Sequence, residues 1–251
     1  MQTILVTGCS TGFGLEIARH FLDRGWKVIA TMRDPQASTL PPSDHLLVLP
    51  LDVTDQASID AALAQAGPID VLVNNAGIGW LNAAESTSTE MVRRLFETNT
   101  FGTMALCRTV LPAFRERGSG VIVNVTSSTT LKPMPLLSAY AASKAAVNAY
   151  TESLAEEVAR FGLRVHAVIP GQSPQTAFAA HAQENIAREG GFADAYLESV
   201  EEVFRQHSAL PAGQATHPVD VAEAVWRAAT DAACPRLLPA GADAVAWAEG
   251  R

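Results

Sequence analysis

The sequence predicts an α/β fold built on a doubly wound parallel sheet, and three observations carry the prediction. Short β-like runs alternate along the chain with stretches of helical apolar spacing, the order expected of a parallel sheet covered by helices on both faces. The first run, Thr3-Ile4-Leu5-Val6, opens directly into Thr7-Gly8-Cys9-Ser10-Thr11-Gly12-Phe13-Gly14, a glycine-rich strand-to-helix turn. Residues with chemical capacity then recur just past the strands, at Gly8, Arg33, Asp52, Asn75, Ser127 and Pro170. A doubly wound sheet collects such positions along its carboxyl edge, where it binds ligands.

In chain order, a strand over 4–6 is followed by a helix over 14–23, on which Leu15, Ile17, Ala18, Phe21 and Leu22 keep helical spacing until Gly25 ends it. Apolar runs at 27–31, 46–49 and 71–74 predict the next three strands, with a helix over 58–66 before the last of them. A long helix is expected over 89–114, then a strand over 121–125, a second long helix over 143–161 and a strand over 164–169. A helix over 219–230 and a short strand at Leu237-Leu238-Pro239 close the pattern. With no internal repeat, low-complexity tract or linker, residues 1–251 are expected to form one domain.

Composition narrows the function classes. An apolar content of 48% excludes a disordered chain, and 251 residues suffice for one α/β domain with a large core. A formal charge of −8 argues against a nucleic-acid partner or an anionic membrane surface. Cys9, Cys107 and Cys234 are odd in number and form no C-x-x-C pair, so neither a disulfide framework nor a zinc site is implied. They read as reduced small apolar residues, with Cys9, near a helix start, open to a second reading as a reactive thiol. The six histidines form no metal-binding cluster. No apolar stretch is long enough to span a bilayer and the N-terminus lacks a leader pattern, so the expectation is a cytoplasmic protein without membrane insertion.

Chemistry concentrates in Tyr140-Ala141-Ala142-Ser143-Lys144. A phenol and an ammonium four residues apart share one helix face, and a nearby cation favours the phenolate, so the two form an acid/base pair. Lowering a phenol pKa from about 10 to near 7 takes roughly 4 kcal/mol of preferential phenolate stabilisation. The glycine turn supplies a place for an anionic cofactor beside this pair, since its backbone can approach a pyrophosphate and the helix start offers free N–H groups. Each of these features also has an ordinary reading, the glycines as a structural turn and Asn74-Asn75-Ala76-Gly77 as a strand end.

Taken together, the glycine turn, Leu51-Asp52-Val53, Asn74-Asn75-Ala76-Gly77, Asn99, Ser127, the Tyr140/Lys144 pair and Pro170-Gly171 resemble, in order and over nearly the whole chain, the compact branch of the short-chain dehydrogenase/reductase family. The opening strand and turn with Ala30-Thr31-Met32-Arg33-Asp34 are most similar to its hydroxysteroid and retinol dehydrogenases. The resemblance implies a Rossmann-type fold and an oxidoreductase that interconverts a carbonyl and an alcohol with NADP(H) or NAD(H). It implies a cofactor site at Gly8, Ser10, Thr11, Gly12, Phe13, Gly14, Asn75, Ala76, Gly77, Pro170 and Gly171, with Asp52 and the Val53 backbone at the adenine. Tyr140 is then the acid, and Lys144 supports it and reaches the nicotinamide ribose. Ser127 is the donor to the substrate oxygen, preferred over Ser128 by its thirteen-residue spacing to Tyr140. Asn99 is the residue that perturbs its helix and holds a water in a proton relay.

Two departures from the family pattern reshape the pocket wall. Pro170-Gly171-Gln172-Ser173-Pro174-Gln175-Thr176 places the threonine one residue late, leaving Ser173 as an alternative contact to the nicotinamide. Ser127-Ser128-Thr129-Thr130-Leu131 lacks the glycine often found after the serine. By alignment Met32 takes the position of an NAD-type acid and Arg33 follows, which favours NADP(H), whereas Asp34 keeps NAD(H) open. Residues 176–212, with Phe178, Ile186, Phe192, Tyr196, Leu197, Val200, Val203 and Phe204 around Gly190-Gly191, resemble a substrate lid and favour an apolar ketone or alcohol; the alternative is two amphipathic helices that pack on the domain or on a neighbouring subunit. A homodimer or homotetramer is expected through the two long helices. The competing reading is a catalytically silent NADP(H) sensor; a sugar-nucleotide epimerase would need a larger C-terminal domain.

Overall fold

The computed structural model describes residues 1–174, 176, 178–188, 190–208 and 214–250. Strands β1 (Thr3–Thr7), β2 (Lys27–Met32), β3 (Leu46–Pro50), β4 (Val71–Asn74), β5 (Gly120–Val125), β6 (Leu163–Pro170) and β7 (Leu237–Ala240) form one parallel sheet in the order β3-β2-β1-β4-β5-β6-β7. The chain winds outward from β1 to β3, then returns to place β4 beside β1 and winds the other way. The crevice at that reversal is where such sheets take ligands.

The helices are α1 (Gly12–Leu22), α2 (Gln56–Ala66), α3 (Thr89–Phe96), α4 (Gly102–Arg117), α5 (Ser138–Ala159), α6 (Phe178–Arg188), α7 (Leu197–Ser208), α8 (Pro218–Thr230) and α9 (Ala242–Glu249). Alternation along the strands sends Ile4, Val6, Val28, Ala30, Val71 and Val73 to one core, closed by Ile17 and Phe21 of α1 and Val221 and Val225 of α8. Leu5, Ile29, Leu72 and Ile122 enter the other, closed by Ile59 of α2, Leu106 and Phe114 of α4, and Leu154 and Val158 of α5. Both faces are therefore covered, and this is why the strands read as continuous apolar runs rather than alternating ones.

Most expected elements are present within a few residues of their expected limits; two helices differ for physical reasons. The expected helix over 89–114 is α3 and α4 joined by a π-helical turn, Glu97–Phe101, and α4 runs on to Arg117 with Pro112 inside it. The turn places Asn99 and Thr100 in contact with α5, where their side chains bond outside their own helix. The second long helix begins at Ser138 rather than 143, so Tyr140 lies within it. Its start is set by Leu136, whose left-handed backbone (φ 64°) is uncommon for a leucine and follows the prolines at 133 and 135. Helix α9 has no counterpart in the sequence-based expectation. Of the expected lid, Ala177, Glu189 and 209–212 lie outside the described residues, as does the side chain of Phe178.

Candidate active site

Thr7 ends β1 and organises the first turn. Its hydroxyl oxygen accepts from the Asn75 and Ala76 N–H groups, both at 3.0 Å, and the Asn75 amide donates back to the carbonyls of Thr7 (2.8 Å) and Gly8 (3.2 Å). Gly8 and Gly12 have positive φ (74° and 60°), and a Cβ on Gly14 would collide with the Gly8 carbonyl and the Asn75 amide. Thr11, the N-cap of α1, makes no side-chain capping bond, which leaves the first-turn N–H groups free to meet an anion. Cys9 is fully buried and burial pushes its thiol up to about 12, which overturns the reading of a reactive cysteine.

Met32 is the last residue of β2 and is buried, so Arg33 is the first residue beyond the strand. The Arg33 side chain is exposed and makes no hydrogen bond or ion pair among the described residues. Asp34 instead caps the following turn, its carboxylate accepting from the Gln36 N–H at 3.0 Å. Asp52 follows β3. Its Oδ1 accepts from the Thr54 N–H (2.9 Å) and hydroxyl (2.7 Å), the two bonds that hold its pKa below the ordinary value, with the Arg33 charge a smaller cause. Asp55 caps α2 through the Ala57 N–H, so Asp52 is not needed as a cap. Val53 is buried beneath Gly102, where a Cβ would lie 2.8 Å from the Val53 carbonyl.

The Tyr140 cluster is assembled from β5, the π-helical turn and α5. Asn99 is fully buried; its amide donates to the Ile78 carbonyl (3.0 Å) and the Ser143 hydroxyl (3.1 Å) and accepts from the Ile78 N–H (2.8 Å). The Thr100 hydroxyl donates to the Ser143 carbonyl at 2.9 Å, and Ser143 donates to the Tyr140 carbonyl at 2.7 Å. These bonds clamp the first turns of α5 to the turn around Asn99. A Cβ on Gly77 would lie 3.1 Å from Asn99 Oδ1 and 3.3 Å from Lys144 Nζ, so all three meet at one point. Lys144 is 5% exposed and donates to the Val125 carbonyl at 3.0 Å. Ser127, in extended backbone past β5, accepts from the Thr129 N–H (3.3 Å) and hydroxyl (3.1 Å) and is hydrogen-bonded with Tyr140. Ser128 is buried beside it.

Burial governs the titration here. It pushes the Tyr140 phenol up to about 12, against the Ser127 hydrogen bond, and pulls the Lys144 amine down to about 8. The Ser127 hydrogen bond acts against the burial of the phenol, and Lys144 donates to the Val125 carbonyl.

Past β6, Pro170 is buried within the strand's last pair and Gly171 turns into Gln172 and Ser173, whose Oε1 and Oγ are buried without a hydrogen-bond partner among the described residues. The Thr176 hydroxyl donates to the Ser173 carbonyl at 3.0 Å, so it is used within the loop. Above Tyr140, Ile186 of α6 packs in a cluster with Trp80, Met91 and Leu95, while Val200 and Val203 of α7 pack with Ala83 and Leu136. Phe192 touches both clusters, and the Asn82 amide donates to the Gly191 carbonyl at 3.0 Å. The sequence carries no signal for Asn82, Thr216 or Asp243. Ser143, inside the Tyr140 motif, could have been singled out by its one-turn spacing from Tyr140. Among the described residues no helix is long and apolar enough to cross a membrane, and no group of three His, Cys, Asp or Glu could hold a metal ion.

The sheet and its carboxyl-edge cluster define a Rossmann-type α/β protein with a hydroxyl, a phenol and an amine gathered beside a glycine turn. The family model for short chain dehydrogenases matches residues 2–187, and the chain belongs to that family of oxidoreductases. It is 40% identical over 178 residues to an uncharacterized oxidoreductase of Bacillus subtilis, covering 66% of this chain and 63% of that protein. It is 38% identical over 182 residues to retinol dehydrogenase 8 of Bos taurus, covering 68% of this chain and 58% of that protein. The chain thus spans less than two thirds of these relatives. A short-chain dehydrogenase from Streptomyces avermitilis superposes with a TM-score of 0.83 at 35% identity, covering 99% of this chain and 91% of that one.

Proposed function

We propose that the protein is an NADP(H)-dependent oxidoreductase that interconverts a carbonyl and an alcohol on an apolar small molecule, with Ser127, Tyr140, Lys144 and Asn99 as the catalytic group. The observation that carries the reading is the hydrogen bond between Ser127 and Tyr140 together with the close approach of Asn99 and Lys144 at Gly77, at the carboxyl edge of the sheet. The residues present fit a nicotinamide dinucleotide: a turn whose backbone is exposed by glycines at 8 and 12 with positive φ, first-turn N–H groups of α1 that no side chain caps, and buried polar atoms of Gln172 and Ser173 without a partner among the described residues. The diphosphate belongs over Gly8, Ser10, Thr11, Gly12, Phe13 and Gly14, the adenosine against Asp52, Val53, Asn75, Ala76 and Gly77, and the nicotinamide by Pro170 and Gly171.

When bound, the cofactor supplies or takes a hydride at the substrate carbon. Ser127 donates to the substrate oxygen, and Tyr140 passes its phenolic proton to that oxygen as it gains charge, with Lys144 drawing toward the phenolate formed. Arg33, exposed beyond β2 and without a hydrogen bond or ion pair among the described residues, favours a 2′-phosphate, while Asp34 is occupied by its own turn.

Trp80, Leu81, Leu136, Leu137, Ile186 and Phe192 form an apolar wall next to Tyr140, and residues 176–212 act as the lid. Relatives named for retinol and 3-ketodihydrosphingosine support an apolar substrate. A groove of about 1110 Å³ lined by Phe101, Leu111, Tyr150 and Phe161 along α4 and α5 supports a symmetric homodimer or homotetramer. Loss of NADPH absorbance against a panel of apolar aldehydes and ketones tests the reading. Binding of NADPH with no turnover of any carbonyl would instead establish the silent sensor.

A further inference from the structure

Asp243 is a buried carboxylate, 6% exposed, at the start of α9 and far in sequence from the catalytic cluster. Its Oδ2 accepts from the Gln172 N–H at 2.7 Å and its Oδ1 from the Thr216 hydroxyl at 2.6 Å. The same Thr216 oxygen accepts from the Gly171 N–H at 3.1 Å, and the Thr216 N–H donates to the Gln172 carbonyl at 2.9 Å. Two glycines are shaped by this pair: a side chain at Gly171 would strike the Asp243 carboxylate, and one at Gly241 would strike the Thr216 hydroxyl. The glycine of Pro170-Gly171 is therefore required by a carboxylate that arrives from the other end of the chain.

Burying a carboxylate is costly unless its oxygens are bonded, and joining β6 to α9 does not need one. What the pair does hold is the backbone of Gly171 and Gln172 from both sides. That backbone carries the buried Oε1 of Gln172 and leads to the buried Oγ of Ser173, both without a partner among the described residues. We propose that Thr216 and Asp243 are positioning residues for the nicotinamide cofactor: they fix the Gly171–Gln172 backbone so that Gln172 and Ser173 present their free polar atoms to the cofactor's carboxamide. The inference rests on the cofactor reading given under Proposed function.

Three variants test it. Asp243→Ala leaves the Gln172 N–H without its acceptor. Asp243→Asn preserves the clamp, because its Oδ1 can accept from Gln172 while its amide donates to Thr216 and the Thr216 proton turns to the Ala240 carbonyl, 3.1 Å away. Thr216→Val removes only the hydroxyl and serves if Asp243→Ala fails to fold. The readouts are the NADPH dissociation constant by cofactor fluorescence, amide hydrogen exchange at Gly171 and Gln172 without cofactor, and kcat at saturating NADPH. Asp243→Ala is expected to weaken NADPH binding about tenfold and to speed exchange at both amides, the order expected when a bond to a charged group is lost. Thr216→Val is expected to do the same to a smaller degree, Asp243→Asn to stay within about threefold of the parent, and kcat to change less than the dissociation constant. Unchanged exchange or unchanged NADPH affinity in Asp243→Ala, or in Thr216→Val where that variant stands in, overturns the proposal. If the parent protein binds neither NADPH nor NADH, the cofactor reading itself fails, and this inference with it.

Discussion

Lys144→Met is expected to make the protein inactive yet more stable at neutral pH. The amine is 5% exposed, and burial lowers its pKa from 10.5 to about 8, whereas the unfolded chain carries an ordinary lysine. Between pH 8 and 10.5 the folded lysine is neutral and the unfolded one charged, so the unfolded state binds more protons and stability rises with pH. Below pH 8 both are charged and the cost of the buried ammonium stands in full. At about 1.4 kcal/mol per pH unit, the fall to about 8 amounts to roughly 3 kcal/mol. Methionine fills similar space without a charge but gives up the bond to the Val125 carbonyl, which offsets roughly 1 to 2 kcal/mol. The net gain at pH 7 is then about 1 to 2 kcal/mol. Urea unfolding of parent and variant at intervals from pH 7 to 10 measures it, and the gap between them should close and reverse as pH rises. Taking the difference removes Cys9 and Cys107, whose thiols are held at about 12 and so lower the stability of both proteins above pH 9. A gap that stays constant across this range would refute a buried, charged Lys144.

Tyr140→Phe should abolish turnover while NADPH still binds, because only the transferable proton is lost; appreciable activity in the purified variant would end the proposed mechanism. Arg33→Ala should raise the KM for NADPH about tenfold or more and leave NADH nearly unchanged, the order of losing a bond to a charged group; a parent enzyme that prefers NADH would overturn this use of Arg33. Gly14→Ala should cost about 1 to 3 kcal/mol in thermal unfolding and remove cofactor binding, since the backbone it strikes cannot yield. Light scattering should report a dimer or tetramer, and an active monomer would rule out the interface on α4 and α5.

The order of strands and helices was legible because strands buried on both faces are apolar whatever their neighbours, and because α1 keeps its spacing up to Gly25. The placement of Tyr140 and Lys144 on one helix was equally local: residues four apart share a face in any fold that keeps the helix. Where α5 begins was not local, since it depends on a left-handed Leu136 packed with Val200 and Val203 from elsewhere in the chain. The break at Glu97–Phe101 likewise follows from bonds that Asn99 and Thr100 make to Ile78 and Ser143. Only the tertiary structure decided where β2 ends, because Met32, its last residue, pairs with Pro50. It also decided the burial that raises the Tyr140 phenol and lowers the Lys144 amine, since desolvation is a property of the whole packed site and not of the two residues. Asp243 shows the same division. An aspartate after a glycine looks like any helix start, and it meets Gln172, 71 positions away, only because β7 pairs with β6 and brings the two loops together.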